Sequence, residues 1–542
     1  MKKIFGLMMA ATAIMSLQSC GEKKTEMTLQ AETKAGVVEG FAEDGVKKFL
    51  GVPFAAAPVG DLRWKAPQPV EAWEGVRDAK DFGNDPMQLN IFGDMAFRGP
   101  SRSEDCLYLN IWTPAQYKEE GLPVLIYFNG GGLMAGSGSE PRYDGTALAQ
   151  NGVIGVTANY REGIFGFLAH PELTAETSYN GSGNYGFLDQ VAAIQWVVDN
   201  IAQFGGDPKR VNIVGESAGS FSVSLLMCSP LSKGNLAGAI GSSGAEVMPY
   251  GAVALADAEA QGKALLESKG FASLAEARAM NADSLQALLP PMGMANVVID
   301  GYFMEESADD VFKQNKQAQV PLLAGWNSLE GVPSEATVEG YKAAMRPTFG
   351  DMTDEIFAAY GIETDADVFT QKGFNLASDM FTGFPTWKWC DYHAQSGLPV
   401  YRYKYMHPRP QVSAKMGNMT GALAGGVREM TEEEKAQAEA QPKTAPGAVH
   451  SADIEYAMGT LASNEYYDWT EDDYNISKLF LSFYVNFCKT GNPNGEGLPT
   501  WTSITGQEVA PVMQIDVDSK ELADPALENA YKTLEKFHLS RQ

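Results

Sequence analysis

The chain has 542 residues, which suffices for several small domains or one large α/β domain, so length alone leaves the number of domains open. Its 44% hydrophobic and 20% charged residues are typical of a globular protein and exclude a fibrous or wholly disordered chain. Acidic residues (68) outnumber basic ones (41), and the net charge of -27 would repel nucleic-acid phosphates and anionic lipid surfaces. We therefore expect no nucleic-acid partner.

The first twenty residues show the order of features that is typical of export. Two lysines precede an apolar stretch, residues 4–14, that is too short to span a bilayer comfortably. The stretch leads to Leu17-Gln18-Ser19-Cys20-Gly21, which resembles the lipobox of bacterial lipoproteins. This predicts a signal peptide at residues 1–19, a lipidated Cys20, and a tether over residues 20–33, with an ordinary cleaved signal as the alternative. The protein is then expected in a bacterial cell envelope, touching the membrane only through its lipid anchor.

The remaining cysteines, at positions 106, 228, 390 and 488, lie far apart and form no Cys-x-x-Cys pair. They indicate neither a redox motif nor a structural zinc site. The chain has five histidines and no His-Glu-x-x-His motif, so we expect no metal and no cofactor in its chemistry.

Apolar, β-branched runs bounded by glycine or proline alternate with helical patterns along the chain. Five runs predict buried parallel strands: Leu122 to Phe128, Val153 to Tyr160, Val211 to Val214, Val320 to Trp326 and Leu398 to Tyr405. The clearest helical stripe covers residues 188–201 and stops before Gly205-Gly206-Asp207-Pro208. This alternation predicts an α/β fold with a mostly parallel central sheet flanked by helices. Because no repeat or long linker divides the chain after residue 35, we expect one domain over residues 34–542.

The segment Gly215-Glu216-Ser217-Ala218-Gly219 lies between a predicted strand and a predicted helix. A Gly-x-Ser-x-Gly pentapeptide is a weak signal by itself, and a serine at the start of a helix can simply cap it. In this setting the glycines let strand and helix approach closely, and the helix dipole favours a developing anion. Ser217 is therefore the predicted nucleophile of a hydrolase.

A serine hydroxyl needs a base to take its proton and a carboxylate to orient that base. His170 precedes the nucleophile, His393 lies in a predicted helix, and His407 is followed by proline, whereas His450 lies in a glycine-bearing loop. Glu330 follows a predicted strand at the sheet edge where active sites of open α/β sheets gather. Single histidines and glutamates are more often ordinary surface residues, so both remain candidates at this point.

The glycine run Gly130-Gly131-Gly132 follows the predicted strand that ends at Phe128. Its backbone N–H groups carry no covering side chains, so they can stabilise the oxyanion of a tetrahedral intermediate. Glycine runs also form ordinary loops.

Together these motifs resemble the type-B carboxylesterase and lipase family, the cholinesterase-like branch of the α/β-hydrolases. The likeness runs from about residue 34 nearly to the end of the chain. It is carried by blocks in family order: Phe49 to Ala55, Pro58 to Trp64, Trp73 to Val76, Ser103 to Asn110, Asn159 to Arg161, Gly183 to Gly186 with Asp189-Gln190, and Phe204 to Pro208. The resemblance implies an α/β-hydrolase fold and a serine hydrolase that cleaves small-molecule carboxylic esters through an acyl-enzyme intermediate.

The resemblance also implies roles for particular residues. It assigns three side chains to a catalytic triad: the nucleophile Ser217, the acid Glu330 and the base His450. It assigns three backbone N–H groups to an oxyanion hole: those of Gly131, Gly132 and Ala218. Asp453, three residues after the base, is a rival for the acid that resembles a carboxylate lying behind the triad in this family.

Three features depart from the family pattern. Asn129 stands where many relatives have a histidine before the triple glycine. The family commonly has a cysteine near Asp85-Pro86-Met87-Gln88 that pairs with the one at Cys106, and its absence predicts an unpaired Cys106. The segment from Gln411 to Pro446 lacks a strand pattern and is longer than the resemblance suggests. We expect a surface insertion with at most a short helix, and hypothesise that it forms a lid or rim of the site.

Two other functions compete with ester hydrolysis. The segment Gly181-Ser182-Gly183-Asn184-Tyr185-Gly186 matches the dinucleotide-binding fingerprint, but it follows a polar loop instead of the strand which that fingerprint requires. A catalytically silent, cholinesterase-like binding or adhesion protein is the stronger alternative, since such domains keep the fold without the triad. The sequence leaves the natural ester and the oligomeric state open.

Overall fold

The structure is a computed structural model that describes residues 25–26, 28–117, 121–288, 297–432, 434–435 and 445–541. The predicted signal peptide, residues 1–19, and Cys20 lie outside the described residues, as does part of the insertion at 411–446. Across these described ranges, no helix combines the length and the apolar character needed to cross a bilayer.

In the described part of the chain, eleven strands form one large sheet. In chain order they are β1 (Phe41–Glu43), β2 (Val46–Pro53), β3 (Tyr108–Pro114), β4 (Leu122–Phe128), β5 (Ile154–Ala158), β6 (Gly206–Glu216), β7 (Gly238–Ser242), β8 (Leu322–Asn327), β9 (Val400–Tyr405), β10 (Val512–Ile515) and β11 (Lys520–Leu522). Their order across the sheet is β11-β10-β9-β8-β7-β6-β4-β5-β3-β2-β1. Strands β4 to β10 run parallel, and the pairings at both edges are antiparallel. The mostly parallel sheet of the predicted fold class is confirmed.

Helices and short strand pairs surround this sheet. The α-helices are Thr146–Gln150, Gly163–Phe167, Pro171–Glu176, Tyr185–Asn200, Ala218–Cys228, Leu255–Ser268, Leu274–Ala279, Ala282–Leu288, Ala308–Lys313, Val338–Phe349, Thr353–Ala359, Asp365–Val368, Gln371–Asp379, Gly383–Ala394, Ile454–Met458, Glu471–Thr490 and Pro525–Leu539. The short strand pairs are Thr25–Glu26 with Gln116–Tyr117, Gln30–Thr33 with Gly36–Glu39, Gly36–Glu39 with Val76–Asp78, Asp85–Pro86 with Arg102–Ser103, Val253–Ala254 with Val298–Ile299, and Met419–Gly421 with Val427–Glu429.

The hydrophobic core lies on both faces of the sheet, which explains why β4 is apolar at every position. Val124 and Ile126 join a core cluster with the helices Tyr185–Asn200 and Ala218–Cys228. Leu125 and Tyr127 alternate with them and join another cluster with the helix Glu471–Thr490. Because successive side chains of a strand point to opposite faces, a strand covered on both faces becomes a continuous apolar run.

The predicted elements in the middle of the chain are confirmed. Each of the five predicted strands overlaps one observed strand: β4, β5, β6, β8 and β9. The predicted helical stripe falls on the helix Tyr185–Asn200 and the short 3-10 turn after it, which ends at Gly205 with a φ of 89°.

Two expectations about irregular segments need correction. The sequence predicts a tether through residue 33, whereas Gln30–Thr33 forms a strand because Ala31 and Thr33 alternate into the interior. The sequence also predicts no strand between Gln411 and Pro446, yet Met419–Gly421 and Val427–Glu429 pair as a short antiparallel hairpin. Strands of three residues are too short to give a readable alternation of polar and apolar side chains.

Candidate active site

The turn between β6 and the helix after it is tight and strained at Ser217. Ser217 has a φ of 54°, in the left-handed region that residues other than glycine seldom adopt. A Cβ at Gly215 would lie 2.3 Å from the backbone of Gly219, and one at Gly219 would lie 2.2 Å from the carbonyl oxygen of Phe128. The Ser217 N–H donates to the carbonyl oxygen of Ser242 at 2.9 Å and holds the turn in place. The serine is thereby presented at the carboxyl edge of the sheet, as the sequence predicts.

The structure brings Glu330 and His450 into direct contact. Glu330 lies just past the end of β8, and its neighbour Leu329 forms a parallel bridge with Val449. The Leu329 N–H donates to the carbonyl oxygen of Ala448 at 2.8 Å, which fixes the two loops side by side. The His450 Nδ1–H then donates to Glu330 Oε2 at 2.5 Å, and both side chains are buried. This is the contact that an acid needs to orient a base.

The other oxygen of Glu330 is also held. Glu330 Oε1 accepts the Asn327 N–H at 2.7 Å and the hydroxyl of Ser243. The Glu330 N–H donates to Ser378 Oγ at 3.0 Å, so the loop and the carboxylate are fixed together. Sequence reasoning missed Ser243, which follows β7 and has no motif of its own.

Asp453, the rival carboxylate, points to other partners. Its Oδ2 accepts the hydroxyls of Ser242 and, at 3.3 Å, of Tyr403, and its Oδ1 accepts Asn327 Nδ2 at 3.1 Å. Among the described contacts, Asp453 makes no hydrogen bond to His450. It accepts from side chains of three neighbouring strands, β7, β8 and β9, whereas Glu330 contacts the imidazole.

The second imidazole nitrogen of His450 faces Glu216, the residue that precedes Ser217. His450 Nε2 lies 3.3 Å from Glu216 Oε1, in an orientation that is not that of a hydrogen bond. Within the described residues, no hydrogen bond joins Ser217 Oγ to His450. Such bonds are often loose before substrate binds and tighten in the reacting complex. The ring of Phe381, 41% exposed, lies 5.0 Å from the imidazole, centre to centre, and forms part of the rim.

The charges around His450 determine where a proton resides. Burial opposes protonation, but the carboxylates of Glu216 and Glu330 outweigh it and raise the pKa of His450 to about 9. Burial raises the pKa of Glu216 to about 8. The two groups therefore titrate as a coupled pair, in which the charge of one sets the pKa of the other. Protonation of Glu216 removes one of the negative charges that raise the pKa of His450 and so favours the free Nε2 that a base needs.

The glycine loop after β4 has free backbone donors. Gly131 and Gly132 have φ values of 105° and 67°, and a Cβ at Gly131 would lie 1.8 Å from the carbonyl oxygen of Ala135. Within the described residues, the N–H groups of Gly131, Gly132 and Ala218 donate to no protein group. Unpaired N–H groups on a glycine loop and at a helix N-terminus can donate hydrogen bonds to an oxyanion.

Asn129 and Glu162 support this loop from behind. Asn129 Nδ2 donates to Glu162 Oε1 at 3.0 Å and to the carbonyl oxygen of Gly130 at 2.9 Å. The Tyr160 hydroxyl donates to the carbonyl oxygen of Asn129 at 2.9 Å. Burial raises the pKa of Glu162 well above its usual range, which favours the neutral form of the carboxyl group. Sequence reasoning noted Asn129 as a departure but missed Glu162, which directly follows the Asn159-to-Arg161 block.

A buried arginine holds the backbone just after the base. Arg409 Nη2 donates to the carbonyl oxygen of Ser451 and to Glu455 Oε2, both at 2.8 Å. The Ser451 hydroxyl donates to the carbonyl oxygen of Leu423 at 2.6 Å. The loop of His450 is thereby joined to the insertion that precedes it in sequence.

Other sequence expectations concern cofactors and cysteines. In the ranges that the structure covers, no group of three or more His, Cys, Asp or Glu side chains is placed to hold a metal ion. Cys106 is buried and unpaired, as expected. The fingerprint-like segment 181–186 leads into the helix Tyr185–Asn200 but follows the helix Pro171–Glu176, so it lacks the strand of a dinucleotide site.

Comparison with known proteins agrees with this geometry. The model of the carboxylesterase family matches residues 27–534. The chain is 38% identical over 468 residues to the fumonisin B1 esterase of Sphingopyxis macrogoltabida, covering 78% of this chain and 81% of that protein. It is 32% identical over 504 residues to the cocaine esterase of Homo sapiens, covering 86% and 83%. A solved structure of a PNB esterase has a TM-score of 0.76 at 28% identity and covers 94% of this chain and 99% of its own.

These likenesses extend over most of both partners in each comparison, so they concern the whole fold and not a single motif. They confirm the α/β-hydrolase fold and do not favour the catalytically silent alternative. The chain belongs to the carboxylesterase family and is a carboxylic ester hydrolase.

Proposed function

We propose that Ser217, His450 and Glu330 form the catalytic triad that cleaves a small-molecule ester. His450 Nε2 takes the proton of Ser217 Oγ as that oxygen bonds to the ester carbonyl carbon. The carbonyl oxygen becomes an anion that accepts hydrogen bonds from the N–H groups of Gly131, Gly132 and Ala218. The bond to the alcohol then breaks, and the alcohol leaves with the proton from His450. Water attacks the acyl-enzyme by the same steps and releases the acid.

The contact between His450 Nδ1 and Glu330 Oε2 carries this proposal. Glu330 accepts a hydrogen bond from the protonated Nδ1 of His450, so it fixes the tautomer in which Nε2 is free to take a proton. It also stabilises the imidazolium that forms when Ser217 attacks. The strained backbone of Ser217 supports the same assignment, because such strain at a turn from strand to helix is typical of nucleophiles of this kind.

Turnover of a p-nitrophenyl ester by Ser217→Ala tests the proposal. We expect kcat to fall by roughly 10⁴-fold or more, because the nucleophile is lost while the fold remains. Ser482→Ala, which removes a hydroxyl from an exposed helix face, is the matched control and should behave as the unaltered protein. Equal turnover by Ser217→Ala and the unaltered protein would refute the assignment.

We further propose that the protein is exported and anchored through a lipid on Cys20. The support is the order of basic start, apolar stretch, Ser19 and Cys20 in the sequence. Cells that express the full chain and are fed labelled palmitate should incorporate the label into it. Cys20→Ala should lose the label and leave the membrane fraction, whereas Cys488→Ala should keep both. A labelled Cys20→Ala protein would contradict the proposal.

A further inference from the structure

A cavity of about 970 Å³ opens beside the loop of His450. Its walls come mainly from three parts of the chain: residues 91–94, the segment 409–430 that contains the hairpin, and Val449 with Tyr467 and Asp468. Cavities that enclose drug-sized molecules have volumes of roughly 300–1,000 Å³, so this one can take a large ligand.

One wall of the cavity is continuous with the proposed base. Val449 lines the cavity and directly precedes His450 in sequence. Leu423, on the facing hairpin, also lines it, and its carbonyl oxygen accepts the Ser451 hydroxyl at 2.6 Å. Of the two residues that flank His450 in sequence, Val449 therefore lines the cavity and Ser451 is bonded to a residue that lines it.

Another part of the wall leads towards the glycine loop. Asp94 lines the cavity and accepts the Gly426 N–H at 3.2 Å, which joins this wall to the hairpin. The next residue, Met95, reaches the glycine loop, since its Cε lies 3.3 Å from the position that a Cβ at Gly131 would occupy. The cavity is thus lined by residues that directly adjoin, in sequence, His450 on one side and a contact of the glycine loop on the other.

The side chains of the wall indicate which molecules fit. Many of them are apolar, among them Phe92, Val412, Leu423, Val427 and Val449. The two basic side chains among the described wall residues are already paired, Arg409 with Glu455 at 2.8 Å and Arg428 with Glu434 at 2.5 Å. A carboxylate or phosphate would find no spare cation among these residues, while an uncharged molecule with apolar and hydroxyl surface would be accommodated.

We propose that this cavity holds the alcohol half of the ester, and that the alcohol is large, uncharged and amphipathic. The inference rests on the proposed triad. When the ester bond breaks, His450 Nε2 donates its proton to the departing alcohol oxygen, so that oxygen must lie within hydrogen-bond reach of His450. The acyl half is bonded to Ser217 Oγ at that moment. The cavity beside the loop of His450 then receives the alcohol as it extends away from the ester oxygen, and residues of the hairpin limit the size of that space.

Three acetates that differ only in the alcohol test this inference. They are ethyl acetate, dodecanediol monoacetate, and acetoxydodecanoate, in which a carboxylate replaces the terminal hydroxyl. For the purified protein we expect kcat/KM for the diol ester to exceed that for ethyl acetate on the order of a hundredfold, because apolar methylenes are buried. Acetoxydodecanoate should be the poorer of the two long substrates.

Variants of the hairpin locate the effect. Val427→Trp fills the cavity and should raise KM for the diol ester at least tenfold, while kcat/KM for ethyl acetate changes by less than about twofold. Val517→Trp, the same substitution at an exposed valine outside the cavity wall, is the control and should change neither. Leu423→Ala, at a side chain 50% exposed whose loss cannot unfold the core, should raise KM for the diol ester more modestly.

The outcomes separate this inference from the proposed function. Equal losses for both esters in Val427→Trp, no loss in either hairpin variant, or a preference for acetoxydodecanoate would each overturn the inference and leave the triad intact. Failure of the unaltered protein to hydrolyse any ester would overturn the proposed function and this inference with it.

Discussion

Replacing Glu330 and Asp453 one at a time shows which of these two carboxylates orients His450 during the reaction. In Glu330→Gln the charge that faces His450 Nδ1 at 2.5 Å is lost while the side-chain shape is kept. Two unit charges about 4 Å apart attract by roughly 4 kcal/mol at an effective dielectric constant of about 20. This attraction stabilises the imidazolium of the transition state, so its loss should lower kcat by about 10³-fold.

The matched variant Asp453→Asn should behave differently. Asp453 accepts from Ser242 and Asn327, groups that hold the loops, so we expect a loss in kcat of no more than about tenfold. The assay is kcat and KM with a p-nitrophenyl ester, with thermal melting to show that each variant is folded. A larger loss in Asp453→Asn than in Glu330→Gln would refute the assignment of the acid.

Three further predictions concern the surroundings of the site. Glu162→Leu removes the partner of Asn129 and should lower kcat roughly tenfold or more, whereas Glu162→Gln, whose amide oxygen can still accept from Asn129, should retain most of it; equal losses would contradict this role of Glu162. Gly131→Ala cannot fit its Cβ and should weaken binding of a trifluoromethyl ketone, which mimics the oxyanion, on the order of a hundredfold; unchanged binding would exclude this loop from the oxyanion hole. His407 lies between Asp473 and Asp516, whose carboxylates outweigh the effect of burial and raise the pKa of His407 in the folded protein. The ion pairs of His407 therefore stabilise the fold fully below the pKa of an unfolded histidine, and this stabilisation is lost as the pH rises through the pKa of the folded state. His407→Gln should therefore cost roughly 2 kcal/mol of unfolding free energy at pH 5.5 and much less at pH 9, and urea unfolding that shows the reverse order would disprove this reasoning.

The parallel strands of the fold could be predicted from sequence because their signal is local. A strand covered on both faces, such as β4, is a continuous run of apolar side chains. Strand β2 gives no such signal, because it carries Lys47 and Lys48, which the fold nevertheless buries. The antiparallel edge of the sheet therefore went unpredicted.

The site likewise has a part that a short stretch of sequence predicts and a part that it does not. The turn at Ser217 is specified by five consecutive residues, whereas Glu330 and His450 come together from positions 120 residues apart. Only the resemblance to a family could place that pair in advance. Ser243 and Glu162 are single polar residues without a motif, and their burial, which gives them a role, depends on the complete fold.

The bridge between Leu329 and Val449 has a consequence for how this enzyme can diversify. It closes a loop of the chain that contains the whole insertion, so the relative position of acid and base does not depend on how long that loop is. Each doubling of a loop's length costs only about 0.6 kcal/mol of closure entropy. Lengthening, shortening or exchanging the insertion is therefore inexpensive for the fold and leaves the reacting groups in register. Evolution or engineering can therefore alter the insertion, and with it the alcohols that we propose it selects, without moving Glu330 relative to His450.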